Sequence, residues 1–149
     1  MVQLNPSVVQ NLLSRLKADS TPRFGEMTPQ QMVEHLCQMF DISINKIEAD
    51  VFTPDDKLPK WKNFLMSDLP FQPFRSPRDE AGLPNLEFEN LDEAKYELTK
   101  RVEAFHQYYK NHPAARANCP AFGLLSYYEW KKFHGKHLQH HFSQFKLIQ

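Results

Sequence analysis

Three segments of this chain carry the chemistry that seals a helix start, and those starts constrain the fold more than any other feature. Thr28 is followed at the third position by Gln31, and Ser126 by Glu129. In each pair the hydroxyl takes an N–H of the first turn that has no intrahelical partner, and the amide or carboxylate returns to the cap's own N–H. Asn90 with Glu93 repeats the spacing. Met27 with Met32, and Leu125 with Trp130, stand where a hydrophobic staple brackets such a cap. A fourth start is marked by Asn5 followed by Pro6, a capping residue and then proline at the first helical position.

Apolar spacing extends these starts into four expected helices. The first runs from about Pro6 to Ala18 on a stripe of Val9, Leu12, Leu13 and Leu16. The second begins after Thr28 and shows Met32, Leu36, Met39, Phe40 and Ile47 on one broad face. The third follows Asn90, with Leu91, Ala94, Leu98, Val102, Phe105 and Tyr109 at spacings of three and four, and Pro113 stops it. The fourth begins after Ser126 and runs to about Phe145. Its apolar arc takes in Trp130, Phe133, His134, His137, His141, Gln144, Phe145 and Ile148, with Lys132, Gly135, Lys136, Ser143 and Lys146 opposite.

Residues 50–89 differ. Six of the eleven prolines lie there, interleaved with Trp61, Phe64, Phe71 and Phe74. That is too aromatic for a disordered linker and too rich in proline for a long helix. The stretch reads as an ordered crossover strapped onto the bundle, with one short helix at Lys60 to Met66. A long crossover lets the second and third helices run parallel; the short loop between the first and second, and the connection of about a dozen residues between the third and fourth, favour antiparallel neighbours there. The expectation is a single domain over residues 1–149, an all-α four-helix bundle of up-down-down-up topology.

Bulk properties exclude several classes of function. With 18 basic and 18 acidic residues there is no field to draw nucleic acid or an anionic membrane. No stretch approaches the roughly 18 apolar residues of a membrane span, and the N-terminus lacks a secretory apolar core. Cys37 and Cys119 form no disulfide framework, which fits two free thiols in a reduced cytoplasmic setting.

Histidine carries the chemical signal. His137 and His141 stand one turn apart on the inward arc, about 5–6 Å between Cβ atoms. His35 lies between Met32 and Met39 on the inward face of the second helix. It sits about 10 Å past its cap; the pair centres about 20 Å past theirs in a helix of about 29 Å, so antiparallel packing levels all three. Three neutral imidazoles clustered in a core are hard to satisfy by hydrogen bonds alone, and a divalent ion resolves this. Zinc, nickel, copper and iron(II) all suit such ligands. Leu138 and Gln139 follow His137, so the glutamate of the metalloprotease motif is absent. His134, His140 and Gln144 flank the trio as outer-shell candidates. Asp55, Asp56 and Asp68 are acids the strap could supply.

These residues bear a resemblance. Phe24-Gly25-x-Met27-Thr28-x-x-Gln31-Met32-x-x-His35 resembles the first metal-ligand motif of the DinB/YfiT-like superfamily. Phe122-Gly123-x-Leu125-Ser126, Trp130, and Lys136-His137-Leu138-x-His140-His141-x-x-Gln144-Phe145 resemble the C-terminal motif of one of its subfamilies. Phe24 stands where tryptophan is common, and the strap aligns with nothing in the family. The resemblance implies a metal bundle with zinc or nickel on His35, His137 and His141, bacterial cytoplasmic origin and frequent homodimers. It implies a metal-dependent transferase using a low-molecular-weight thiol, or a hydrolase, acting on a small-molecule substrate that the residues do not name. The alternatives are a non-catalytic bundle stapled by its ion and a bundle that works through protein contacts.

Overall fold

Every helix cap read from the sequence is made. The fold comes from a computed structural model that describes residues 1–73 and 82–149. Asn5 Oδ1 accepts from Ser7 and Val8 N–H and opens α1, Pro6–Leu13. Thr28 and Gln31 close a reciprocal box at the start of α2, Pro29–Ser43. Among the described residues the strap folds one α-helix, α3, over Leu58–Met66 behind a 3-10 turn at Asp55–Lys57. Asn90 caps α4, Leu91–Asn111, although Glu93 answers Glu89 N–H rather than the cap's own. Ser126 and Glu129 box the start of α5, Tyr127–Gln144.

The expected all-α, up-down-down-up four-helix bundle is nonetheless incorrect. The described residues hold five α-helices and a two-stranded antiparallel sheet, β1 (Arg116–Cys119) with β2 (Gly123–Ser126). The register pairs Arg116 with Ser126 and Cys119 with Gly123. This hairpin occupies what the sequence offered as a plain connection after Pro113. Ala117 and Cys119 from one strand and Leu125 from the other turn inward and are buried. Trp130, fully buried, donates from Nε1 to the Ala117 carbonyl at 3.1 Å, so the hairpin pins the first turn of α5.

Two helices are shorter than their apolar stripes suggest. After Leu13 the chain tightens into turns of three, Arg15 to Leu12 and Leu16 to Leu13, which still carry Leu16 into the core. At the end of α2, Asn45 takes a left-handed φ of 62°. Lys46 N–H reaches the Asp41 carbonyl and Asn45 N–H the Ile42 carbonyl, a complete Schellman end. The helix therefore stops before Ile47, which is exposed. Lys146, φ 63°, ends α5 in the same manner.

The fourth expected helix is buried almost all round, not along one arc. Leu138 and Phe142, outside the expected arc, are fully buried. Gly135 does not face solvent: a Cβ there would meet Met1 Sδ at 2.6 Å, because the N-terminal residues lie across it. Lys136 is also inward, only 5% exposed. Its Nζ donates to the carbonyls of Phe64, Leu65 and Ser67 at 2.9, 3.2 and 3.2 Å, where α3 ends. The ammonium lies 4.4 Å above the Phe64 ring and 5.1 Å above that of Phe71. One lysine thus caps the strap helix and ties it to α5.

The strap docks at other points too. Phe52 N–H and Thr53 Oγ1 donate to the Pro120 and Ala121 carbonyls of the hairpin loop. Farther along, Glu34 of α2 accepts the N–H groups of Glu87 and Phe88 at 2.6 and 3.2 Å. Phe74 and Pro77, counted with the strap, lie outside the described residues. Among the described residues no helix is long and apolar enough to cross a membrane.

Candidate metal centre

The box at Thr28 and the buried residues Met32, Leu36, Met39 and Phe40 fix the rotation of α2, leaving His35 half-buried at the edge of that face. The Ser126 box and the Trp130 anchor do the same for α5, turning His137 and His141 inward at 9% and 7% exposure. His35 Nε2 lies 3.0 Å from His137 Nε2, and His141 Nε2 lies 3.1 Å from it. One ligand nitrogen from each of the three falls within 4.8 Å of the others. The sequence-expected trio is brought together.

Donor chemistry and spacing fit a divalent ion. With metal–nitrogen bonds of about 2.0–2.1 Å, the edge of a tetrahedral site is about 3.3–3.4 Å, slightly longer than the two contacts to His137 Nε2 and inside the 4.8 Å that spans all three nitrogens. Hydrogen bonds cannot satisfy the cluster equally well. A neutral imidazole has one N–H and one lone pair. His141 spends its N–H on Gln144 Oε1, 2.8 Å from Nδ1, so its Nε2 offers a lone pair to the centre. A proton on His137 Nε2 serves one neighbour well, and His137 Nδ1 is buried with no partner among the described residues. Charging the ring is opposed: burial, then the neighbouring His141, His35, His134 and His140, holds the His137 pKa well below the ordinary histidine range.

Aromatic rings wall the trio. Phe133 lies 5.0 Å and Phe71 of the strap 6.4 Å from the His137 ring, centroid to centroid. On the His35 side a cavity of about 190 Å³ opens, lined by Met27, Gln31, Glu34, Cys37, Asp41 and the strap's residues 82–87. The surroundings of the Cys37 thiol favour its protonated form. Burial pushes its pKa up to about 12, and its Sγ faces the Ala94 carbonyl at 3.9 Å.

The outer-shell candidates separate. Gln144 does hold one of the three imidazoles, its Oε1 lying 2.8 Å from His141 Nδ1. His140 packs on His141 at 5.0 Å and on Phe24 at 5.2 Å; burial lowers its pKa, opposed by a hydrogen bond with the Phe71 backbone. His134 is not at the centre. It stacks on Phe40 at 3.8 Å and on Trp130, with Nε2 unpartnered among the described residues. Asp68 pairs with Lys132 at the surface, and among the described residues the group close enough to hold an ion consists of histidines.

Sequence reasoning missed Lys136, placed by its helical angle on the outer face; its reach to α3 leaves no local signal. It also passed over His106, which bridges the Leu4 carbonyl at 2.7 Å and the Tyr127 hydroxyl at 2.8 Å. No known protein family, no curated protein and no solved structure matches this chain.

Proposed function

We propose that this is a DinB-like divalent-metal protein in which His35, His137 and His141 hold one zinc or nickel ion, and that the centre serves a metal-dependent reaction on a small molecule, thiol transfer or hydrolysis. The observation that carries the reading is the convergence of three imidazole Nε2 atoms from two helices. When bound, such an ion supplies Lewis acidity, polarising a carbonyl or lowering the pKa of a water or a small thiol. Three protein ligands leave a position for an exogenous group, the ligand count of reactive rather than purely structural sites. The chain's own residues contribute the rest: Gln144 orients His141, Phe133 and Phe71 restrict water at His137, and the cavity beside His35 gives a small molecule room.

The test is metal content of tag-free protein by plasma mass spectrometry, beside His35→Ala and His137→Ala. About one equivalent in the parent, lost in both variants, is expected. Turnover of an electrophile only with added thiol marks the transferase, and ester turnover without thiol marks the hydrolase. Stoichiometric metal with neither activity leaves the ion as a staple between α2 and α5. No metal after supplying zinc and nickel ends the reading.

A further inference from the structure

The sequence carries Phe-Gly twice, at Phe24-Gly25 and Phe122-Gly123, each glycine three residues before a helix cap. Both glycines hold a left-handed backbone, φ 77° and 78°, where a side chain is strained. Their surroundings differ. A Cβ on Gly123 would press on the Leu58 methyls at 3.2 and 3.3 Å. A Cβ on Gly25 would press on Gln144 Nε2 at 3.0 Å.

Gln144 is 4% exposed and is held at three points. Its amide nitrogen donates to the Phe24 carbonyl at 2.9 Å, and its main-chain carbonyl accepts Arg23 N–H at 2.8 Å. Its Oε1 faces His141 Nδ1 at 2.8 Å. A carbonyl oxygen only accepts, so the end of the amide turned to Phe24 must be the NH2 group. The end turned to His141 is then the oxygen, which also only accepts. His141 must therefore carry its proton on Nδ1, which leaves the lone pair on Nε2, the atom 3.1 Å from His137 Nε2.

We propose that the Phe24–Gly25 turn is the positioning device of the metal centre: through the Gln144 amide it fixes the tautomer and ring orientation of His141, so that Nε2 is ready to ligate before an ion arrives. The inference rests on the metal reading above and names the residues that pre-set it. The missing Cβ of Gly25 lets the amide approach the Phe24 carbonyl. If the amide turned over, its NH2 would face Nδ1. The ring would then carry its proton on Nε2, where it blocks ligation. Gly123 answers to the same backbone requirement but admits a side chain of the strap, remote from this relay.

The experiment has a readout that needs no metal. Long-range proton–nitrogen correlation spectra of the metal-free protein at pH 8 report the tautomer of each histidine. His141 is expected as the Nδ1–H form in the parent, and as a mixture or the Nε2–H form in Gln144→Ala and Gly25→Ala. Zinc affinity, read by competition with a chromophoric chelator, should fall about 10–100-fold in both variants. Gly25→Ala should add little to that loss in a Gln144→Ala background, because nothing remains for its Cβ to displace. Gly123→Ala serves as the control: thermal stability falls while tautomer and zinc affinity hold.

The proposal is overturned if parental His141 is the Nε2–H form. It is also overturned if Gly25→Ala behaves as Gly123→Ala does, losing stability alone. If the parent shows the Nδ1–H form, the variants lose it and no protein binds zinc or nickel, the relay stands and the metal reading falls.

Discussion

His134 shows how one residue sets a pH dependence. Its ring is buried, stacked on Phe40 and Trp130, and its pKa lies well below the ordinary range because of burial and then the nearby His106. The unfolded chain binds a proton on this ring below about pH 6.5 and the folded chain does not. Folding stability is thus greatest above about 6.5 and falls as pH drops toward the depressed folded-state pKa. Each such residue contributes a slope of up to about 1.4 kcal/mol per pH unit. Urea unfolding of metal-free protein between pH 5.5 and 7.5 should show that slope, and His134→Phe should reduce it by roughly one residue's share. A slope unchanged by the substitution would contradict the burial of a neutral ring.

At the level of elements, the joints of the strap and hairpin carry more than their sizes suggest. Removing the Lys136 ammonium leaves three carbonyls at the end of α3 without that donor. Lys136→Met keeps the stem and should lower stability by about 1–3 kcal/mol: the Phe64 carbonyl retains the Ser67 N–H and hydroxyl, while the Leu65 and Ser67 carbonyls lose the ammonium, at roughly 1–3 kcal/mol for an unpaired buried acceptor, part of which solvent recovers. Hydrogen exchange should quicken in α3 well before α4; uniform protection would show that the strap holds without the lysine. Trp130→Phe tests the joint between β1 and α5. It fills most of the space but removes the indole donor from the Ala117 carbonyl, so about 1 kcal/mol should be lost. The β1–β2 amides are expected to exchange faster than those of α2.

Across the whole molecule the trio links α2 to α5, so an ion bound there stabilises the fold by mass action. Free zinc at about 1,000 times its Kd adds about 4 kcal/mol. Chelation should therefore lower the Tm of the parent protein and leave that of His137→Ala unmoved. Because imidazoles bind only when neutral, occupancy should fall as pH drops through roughly 6. Metal retained at about pH 4 would point to ligands other than these histidines.

The sequence by itself determined the helix starts and the candidate ligands, because both rest on short-range chemistry. A cap is settled within four residues, as at Thr28 and Ser126, and His137 and His141 share a face by spacing alone. Strand pairing was not legible. The strands of the hairpin have four residues each, too few for alternation to stand out beside the strong helical signals around them. Nor was the burial of α5 beyond its apolar arc, because Gly135 and Lys136 are covered by residues far off in the chain, Met1 and the end of α3. Only the tertiary structure decided that His35 meets the pair at 3.0 Å and that a carbonyl at Phe24 dictates the proton on His141 through Gln144. Those contacts join segments more than a hundred residues apart, and no local propensity records what a side chain meets across such a distance.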